Sequence, residues 1–312
     1  MGGYRTRPLD NPNNHHAPDD YRAGFVTLVG RTNVGKSTLL NRMVGQKVAI
    51  VTPRPQTTRR RILGIRTDAD AQYLFVDTPG IHEPRNELSR RMVEIARRCV
   101  GEGEVVVAVV EAGARLGDRD RAVIAELGEL KLPRVVVINK IDKASRADLM
   151  ALVEECGRAI PEAEIVPVSA LKGDNIDELL AVIKRMLPVS PALMPADEYT
   201  DQTERMIAAE VIREKIFVAM REEIPFSTAV TVEEFVEDGA RGITRISAVI
   251  IVERDSHKGM IIGAGGARLK AIGTAARLEL EEMLGVRIFL ETIVKVEKGW
   301  TRNPRRIGEL ES

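Results

Sequence analysis

Two glycines, a lysine and a serine early in the chain have the spacing of a phosphate-binding loop. The pattern Gly30-x-x-x-x-Gly35-Lys36-Ser37 follows the apolar run GFVTLVG and precedes the helical pattern STLLNRMVG. Between a strand and a helix, such glycines let backbone N–H groups wrap a phosphate, while the lysine reaches the β and γ oxygens and the serine ligates magnesium. The predicted nucleotide-binding residues of this loop are Gly30, Arg31, Thr32, Asn33, Val34, Gly35, Lys36, Ser37 and Thr38.

Three later stretches bear on which nucleotide the loop holds. YLFVDTPG places Asp77 at the end of an apolar run, where its carboxylate can hold the magnesium shell, and Gly80 can give the γ-phosphate a backbone N–H. RVVVINKID ends with Asn139, Lys140 and Asp142. The Asp142 carboxylate can accept hydrogen bonds from N1–H and the exocyclic amine of guanine, two donors that adenine lacks. The sequence therefore favours guanine by about a thousandfold.

The third stretch, EIVPVSALKG, places Ser169 and Ala170 after another apolar run. Here the Ala170 N–H can meet guanine O6. In this order the four stretches resemble the motif set of translation-factor-type GTPases. We therefore expect GTP or GDP and Mg²⁺ as ligands, with Lys36 and Gly80 taking part in hydrolysis.

The segment VTPRPQTTRRRILGI, residues 51–65, is predicted to be a mobile switch between the loop and Asp77. One of Thr57 and Thr58 should ligate magnesium through its hydroxyl when the γ-phosphate is present, and loss of that phosphate would release the segment. We expect the arginines that follow, Arg59–Arg61, to form a solvated strand face.

Periodicity predicts two domains. Apolar strands at 25–29, 73–76, 105–110, 134–138 and 164–168, with helical segments between them, indicate a doubly wound α/β sheet that binds its ligand at the carboxyl ends of the strands. A proline-rich stretch without periodicity follows. The expected boundaries are a disordered tail at 1–20, a nucleotide-binding domain at 21–187, a linker at 188–200 and a second, α+β domain at 201–312.

The second domain has the predicted order helix, strand, strand, helix, turn, helix, strand. Its turn, Gly263-Ala264-Gly265-Gly266, has the form of the GxxG loop of KH domains, which clamps a single-stranded RNA backbone. Cations cluster at 254–277 and at 295–306, although the whole chain carries 46 basic and 46 acidic residues. The predicted RNA-binding residues are Lys258, Gly259, Ile262, Gly263, Ala264, Gly265, Gly266, Arg268 and Lys270.

Residues 21 to about 310 resemble the Era family, bacterial GTPases with a C-terminal type II KH domain that act in assembly of the small ribosomal subunit. The stretches that carry the resemblance are GRTNVGKST, QTTRRRI, DTPGIH, NKID, SALKG, SHKGMIIGAGGARLKAIG and KGW. The resemblance implies that the GTP form binds the 3′ end of small-subunit ribosomal RNA on the 30S subunit, and that hydrolysis releases it. It also favours Thr58 over Thr57 as the magnesium ligand, and we expect Thr58 to take part in hydrolysis together with Lys36 and Gly80.

Two positions have consequences for activity. Ala264 and Gly265 carry no charge where family members usually have a cation, so RNA binding should rest more on Lys258, Arg268 and Lys270. Ile81 stands where Ras-like enzymes have a water-orienting glutamine, which resembles the hydrophobic-substituted GTPases and implies slow intrinsic hydrolysis. Asn33 matches the asparagine that such enzymes use to bind potassium, and an asparagine that merely shapes the loop is the alternative.

Composition leaves one functional alternative. A hydrophobic fraction of 44% and a charged fraction of 29% are typical of a soluble globular protein. The sequence predicts a monomer in the cytoplasm. A membrane-associated or cell-cycle GTPase that uses the amphipathic stretch 203–220 at the inner-membrane surface, without RNA, is the alternative.

Overall fold

The computed structural model describes residues 20–84, 86–113, 115–220, 223–239 and 242–311. The predicted disordered tail therefore lies, except for Asp20, outside the described residues. The strands are β1 (Arg22–Val29), β2 (Ile62–Thr67), β3 (Ala71–Asp77), β4 (Val105–Glu111), β5 (Arg134–Asn139), β6 (Glu164–Val168), β7 (Thr228–Asp238), β8 (Ile243–Val252) and β9 (Arg287–Val296). The α-helices are α1 (Lys36–Val44), α2 (Glu87–Val100), α3 (Asp118–Gly128), α4 (Arg146–Ala159), α5 (Ile176–Met186), α6 (Glu204–Ala219), α7 (Asp255–Ile262), α8 (Ala267–Leu284) and α9 (Pro304–Leu310).

The N-terminal unit, β1 to α5, is built on a six-stranded sheet of order β2-β3-β1-β4-β5-β6. Strands β4 and β5 are almost continuous runs of valine, and both are buried, because helices cover both faces of the parallel part of the sheet. The five predicted strands are all present and parallel to one another. The doubly wound α/β prediction is confirmed.

Strand β2 is the one strand of this sheet that the apolar pattern does not predict. It pairs antiparallel with β3, from Ile62 opposite Asp77 to Thr67 opposite Gln72. Residues 62–65 of the predicted switch thus belong to an edge strand. Only residues 51–61 lie outside regular secondary structure, and these residues are called the switch segment below.

The predicted linker runs along the outer edge of β2. The Ile65 N–H donates to the Tyr199 carbonyl at 2.9 Å, and the Thr200 hydroxyl donates to the Leu63 carbonyl at 2.7 Å. Backbone groups that an edge strand would leave unpaired are therefore covered by the chain itself.

The C-terminal unit, α6 to α9, contains a three-stranded sheet of order β7-β8-β9, with β9 parallel to β8 and β7 antiparallel to it. Helices α6 and α8 bury their apolar side chains against this sheet, including Ile272, Ala276 and Leu280 of the predicted apolar face of α8. The predicted element order, and with it the KH fold, is confirmed.

Helix α6 has little apolar surface to offer a membrane. Most of its residues between Ile207 and Phe217 are buried in the core of the C-terminal unit or against the switch segment. The alternative that placed residues 203–220 at a membrane surface is therefore not favoured. None of the helices in the described part of the chain is long and apolar enough to cross a bilayer.

Helix α9, an element beyond the predicted order, joins the two units. Together with the short turn at Trp300 it packs on the outer face of the C-terminal sheet and on helix α2, in an apolar cluster that contains Leu88, Met92, Ala229, Val249, Ile251, Trp300, Ile307 and Leu310. Helix α2 follows the Asp77-to-Gly80 motif in the chain. This cluster thus connects the nucleotide-binding unit to the KH unit.

Trp300 should contribute strongly to this connection. The side chain is 1% exposed, and its indole N–H donates to the Ser227 carbonyl at 3.1 Å. Replacing it with alanine removes a large buried ring, so we expect Trp300→Ala to lower the free energy of unfolding by about 3–5 kcal/mol. Trp300→Phe keeps most of the ring but loses the hydrogen bond, and should cost about 1–2 kcal/mol. Denaturant unfolding followed by circular dichroism measures both values; equal losses for the two variants would contradict this role for the ring.

Candidate GTP and RNA site

Three oxygen-bearing side chains from separate segments meet at the carboxyl end of β3. The Ser37 hydroxyl donates to Asp77 Oδ2 at 2.6 Å and lies 2.9 Å from Thr58 Oγ1, which is itself 3.4 Å from the same carboxylate oxygen. The phosphate loop, the switch segment and β3 each supply one of them. The structure therefore brings together all three predicted magnesium ligands, with Thr58 rather than Thr57 facing the group.

The Asp77 carboxylate suits a divalent cation. It is fully buried, and its Oδ1 atom has no hydrogen-bond partner among the described residues. Burial raises the pKa of Asp77 above its ordinary value, although Lys36 and the Ser37 hydroxyl oppose the rise. A cation at this point would neutralise the buried charge, and hydroxyl and carboxylate oxygens are ligands that Mg²⁺ prefers.

Lys36 points into the loop that precedes its helix. Its ammonium group donates to the carbonyls of Gly30 and Arg31 at 3.1 and 3.0 Å. Burial lowers the pKa of Lys36 to about 8, even though the nearby Asp77 carboxylate favours the charged form. A bound phosphate group would offset the cost of burying the ammonium group, because its oxygens would form a direct ionic contact with Lys36 Nζ.

Two glycines allow close approach of backbone segments at the site. Gly35 has a φ of 99°, and a Cβ atom there would lie 2.4 Å from the Asn139 side-chain nitrogen. At Gly80 a Cβ atom would lie 2.7–2.8 Å from atoms of Thr32. The N–H of the next residue, Ile81, donates to the Gly30 carbonyl at 3.1 Å, so the turn after β3 rests directly on the phosphate loop.

The predicted base-binding residues lie together at the ends of β5 and β6. The Asn139 amide donates to the Val34 carbonyl at 2.8 Å, and Lys140 Nζ donates to the Asn33 carbonyl at 2.7 Å, so both brace the loop. Asp142 is partly exposed, and its carboxylate accepts a hydrogen bond from the Ser169 hydroxyl at 2.7 Å. That hydrogen bond lowers the pKa of Asp142 and keeps the carboxylate ionised.

The Ala170 N–H is engaged by a neighbouring side chain of the site. This N–H, which is predicted to meet guanine O6, donates to Asn139 Oδ1 at 3.0 Å. Asn139 accepts there because its side chain is already oriented by the bond from its amide to Val34.

A cavity of about 470 Å³ connects the phosphate end of the site to the base end. Its walls include the predicted residues Thr32, Asn33, Gly35, Lys36, Ser37, Thr38, Thr58, Gly80, Lys140 and Asp142. They also include residues outside the predicted nucleotide-binding set, namely Ile50, Val51, Thr52, Pro53, Gln56, Thr57, Lys143 and Leu171. The Arg31 guanidinium is engaged elsewhere, with Glu111 and Asp120 at 3.0 Å.

Asn33 links the phosphate loop to the switch segment. Its backbone has a φ of 67°, and its side-chain amide donates to the Pro53 carbonyl at 3.1 Å. The predicted potassium ligand therefore belongs to the phosphate loop and contacts the switch segment, and both of these segments would contact the phosphates.

The prediction of a solvated arginine face was wrong for Arg59. This residue is 3% exposed, and its guanidinium donates to the carbonyls of Pro225, Phe226 and Thr228 at 2.9–3.0 Å and to the Glu311 carboxylate at 2.9 Å. All four acceptors belong to the C-terminal unit. Arg61, by contrast, is exposed as expected.

In the C-terminal unit, the GxxG turn lies between α7 and α8. Gly263, Gly265 and Gly266 all have positive φ, and α8 starts at the following residue with no acidic side chain in its first turn. Ala264 and Gly265 are exposed, and Ile262 is partly buried against the core. The N–H of Ala267 donates to the Ala264 carbonyl, so an anion such as a phosphate would bind through the N–H groups that follow it in the first turn of α8.

The two predicted cation clusters differ in the structure. Arg268 and Lys270 are exposed and Lys258 is partly exposed, and no carboxylate within the described ranges pairs with any of these three. In the second cluster, Lys295 pairs with Glu233, Arg305 with Glu309, and Arg306 with Glu297 and Glu309. The first cluster, together with the glycine turn, is the better candidate for RNA contact.

Comparison with known protein families agrees with the two-unit architecture. Residues 25–140 match the family described as 50S ribosome-binding GTPase, and residues 223–301 match the KH domain family. GTPase Era of Geobacter metallireducens is 45% identical over 290 residues, which cover 93% of this chain and 97% of that protein. GTPase Era of Syntrophus aciditrophicus is 46% identical over 289 residues, which cover 93% and 94%.

Two solved structures are similar along almost the whole chain. A single-residue variant of Aquifex aeolicus Era bound to GDP·AlF4⁻ has a TM-score of 0.89 and 42% identity, and the match covers 93% of this chain and 98% of that one. Era in complex with MgGDPNP and nucleotides 1506–1542 of 16S ribosomal RNA has a TM-score of 0.90 and 43% identity, with the same coverage.

The lowered pKa of Lys36 leads to a prediction about protons. Because phosphate oxygens favour the ammonium form, nucleotide binding should return this pKa to well above 8. At pH 8 we expect an uptake of about 0.5 proton per GTP bound, and the uptake should decline as the pH falls, since Lys36 is then already charged. Calorimetric titrations at each pH in two buffers of different ionisation enthalpy measure the uptake. A binding enthalpy independent of buffer at pH 8 would show that Lys36 is charged before binding.

Proposed function

The chain belongs to the Era family of GTPases, and we propose that its GTP-bound form binds the 3′ end of small-subunit ribosomal RNA and assists maturation of the 30S subunit. Hydrolysis of GTP would then release it. The observation that carries this proposal is the relative of 43% identity that is bound both to MgGDPNP and to nucleotides 1506–1542 of 16S ribosomal RNA. Residues 21–187 would form the GTPase domain, 188–200 the linker and 201–312 the RNA-binding domain.

In the proposed reaction, the nucleotide-binding unit holds GTP through the residues described above. Ser37, Thr58 and Asp77 would hold Mg²⁺, which when bound neutralises charge on the β- and γ-phosphate oxygens. Lys36 would contact the same oxygens, and the Gly80 N–H would donate to the γ-phosphate. Asp142 would select guanine because its ionised carboxylate can accept hydrogen bonds from N1–H and the exocyclic amine of guanine, and adenine lacks both donors.

The attacking water would have to be positioned without a glutamine. Ile81 is partly buried against the apolar core on one side of the sheet and has no group that can orient water. For this reason we propose a slow intrinsic rate of hydrolysis. Backbone groups and a potassium ion near Asn33 would take over part of the role of the missing glutamine.

RNA binding would use the glycine turn and the first cation cluster. Phosphates of a single strand can approach the N–H groups at the start of α8, and Lys258, Arg268 and Lys270 supply charge without paired carboxylates in the described structure. Because Ala264 and Gly265 are uncharged, the loop contributes backbone donors only.

We propose a monomer that acts in the cytoplasm. Peripheral association with the inner membrane would need a surface other than α6, because most apolar side chains of this helix are buried. The alternative of a membrane or cell-cycle GTPase without RNA is therefore less well supported than the RNA-binding function.

Binding to RNA tests the main proposal. The wild-type protein should bind a labelled 3′-terminal fragment of 16S ribosomal RNA more tightly with a non-hydrolysable GTP analogue than with GDP, and more tightly than a scrambled fragment. Ala264→Lys should raise the RNA affinity by about threefold to tenfold, because it adds a cation to an exposed loop position. The plot of log affinity against log salt concentration should become steeper by about the contribution of one released counterion. Fluorescence anisotropy at several salt concentrations measures both effects.

Ala264→Asp is the matched variant for this experiment, since it places the opposite charge at the same backbone position. It should weaken RNA binding by a similar factor and leave nucleotide affinity unchanged. Weak wild-type binding that is independent of nucleotide and RNA sequence would contradict the proposal, and liposome binding unaffected by RNA would then support the membrane alternative.

The role of Asn33 predicts a dependence on the monovalent cation. Hydrolysis should be several-fold faster in potassium than in sodium for the wild-type protein, and Asn33→Ala should remove most of that difference because it removes the side-chain oxygen. Steady-state phosphate release at matched ionic strength measures this. Equal rates of the wild type in the two salts would mean that Asn33 only shapes the loop.

A further inference from the structure

Helix α6 of the C-terminal unit contacts the backbone of the switch segment at two separated points. The Glu214 carboxylate accepts a hydrogen bond from the Val51 N–H at 3.0 Å. Arg213 Nη2 donates to the Thr57 carbonyl at 2.7 Å. Neighbouring residues of one helix therefore hold the first residue of the segment and the residue directly before Thr58.

Both side chains are buried and have charged partners, although Arg213 Nη1 makes no hydrogen bond within the described residues. Arg213 is 2% exposed, and its Nε donates to Glu210 Oε1 at 2.9 Å within the same helix. Although burial alone would raise the pKa of Glu210, the Arg213 guanidinium holds that pKa below its ordinary value, so both groups are charged. Glu214 is 5% exposed and pairs with Lys47 of the N-terminal unit at 2.6 Å. Buried charges with fixed partners have few alternative positions.

The contact at Thr57 determines the orientation of Thr58. The Thr57 carbonyl belongs to the peptide group that leads into Thr58, and this group is planar, so fixing its oxygen also fixes the direction of the Thr58 N–H. On the other side of Thr58, the Arg59 guanidinium is anchored by carbonyls of the C-terminal unit. Thr58 is thus held from both sides, with Oγ1 at 2.9 Å from Ser37 Oγ.

We propose that Arg213 and Glu214 are positioning residues that give the protein its preference for GTP over GDP, by holding Thr58 where its hydroxyl can reach Mg²⁺. The inference rests on the proposed function, because Thr58 is expected to ligate Mg²⁺ only when the γ-phosphate is present. It adds that the RNA-binding unit takes part in nucleotide selection. By linkage, whatever favours the docked position of α6 also favours GTP to the same degree.

Nucleotide affinity measured without RNA tests this inference. The probes are fluorescent derivatives of GDPNP and of GDP, titrated with the full chain in saturating Mg²⁺. Arg213→Ala should weaken binding of the GTP analogue about tenfold, the effect of losing one hydrogen bond from a charged group, and change GDP binding by less than about twofold. In excess chelator the analogue should bind the variant and the wild type equally, because Thr58 acts through the metal.

Two further variants keep the test decisive if Arg213→Ala does not fold. Arg213→Lys preserves a charge beside Glu210 and should recover part of the analogue affinity. Glu214→Ala removes the acceptor for the Val51 N–H, leaves Lys47 paired with Glu279, and should also weaken only the analogue. Arg205→Ala is the control on the same helix, since this exposed residue contacts only carbonyls of the C-terminal unit, and it should change neither affinity.

Equal loss of both nucleotides, or no loss of either, in the variants that fold would overturn the inference. Such a result leaves the RNA-binding function intact if wild-type RNA binding still depends on the nucleotide. Failure of the wild type to bind guanine nucleotides at all would instead overturn the proposed function itself.

Discussion

The buried carboxylate of Asp77 is the group around which the nucleotide site is organised. One of its oxygens accepts a hydrogen bond from Ser37, at the start of α1, and lies near Thr58 of the switch segment. A charge in this position is costly without partners, because it is removed from water on every side. The phosphate loop, the strand that carries Asp77 and the switch segment must therefore meet at one point, and the cavity beside them has its shape for that reason.

The same requirement extends into the C-terminal unit. The switch segment is too short and irregular to hold Thr58 by itself. In addition to the contact from Asn33 of the phosphate loop, it is held by α6, by carbonyls at the start of β7 and by Glu311. Apolar packing of α9 on α2 adds a second connection on the other side of the site. The two units therefore share one set of contacts, and the nucleotide site is only partly a property of the N-terminal unit.

Much of this architecture could be predicted from the sequence. The parts that could not be predicted depend on contacts that a local sequence pattern does not report. Local sequence patterns were sufficient to predict the valine-rich strands, the glycine loop and the order of elements in the C-terminal unit. They also indicated the positions of Ser37 and Asp77. Strand β2 was missed because it is a short edge strand next to a run of arginines. The burial of Arg59 and the pairing of Lys295 with Glu233 depend on partners that are distant in the chain, and no local pattern reports them. The choice of Thr58 over Thr57 came from family resemblance, and the structure agrees because only Thr58 faces Asp77.

The anchoring of Arg59 also has a consequence for biosynthesis. Its partners are the carbonyls of residues 225, 226 and 228 and the side chain of Glu311, which is translated 252 residues later. During translation, a nascent N-terminal unit can complete its sheet while this guanidinium still lacks its acceptors. The switch segment then acquires its final set of contacts only after the RNA-binding unit has emerged from the translating ribosome and docked on the N-terminal unit. The order of synthesis thus delays the complete nucleotide site until the chain can also bind RNA.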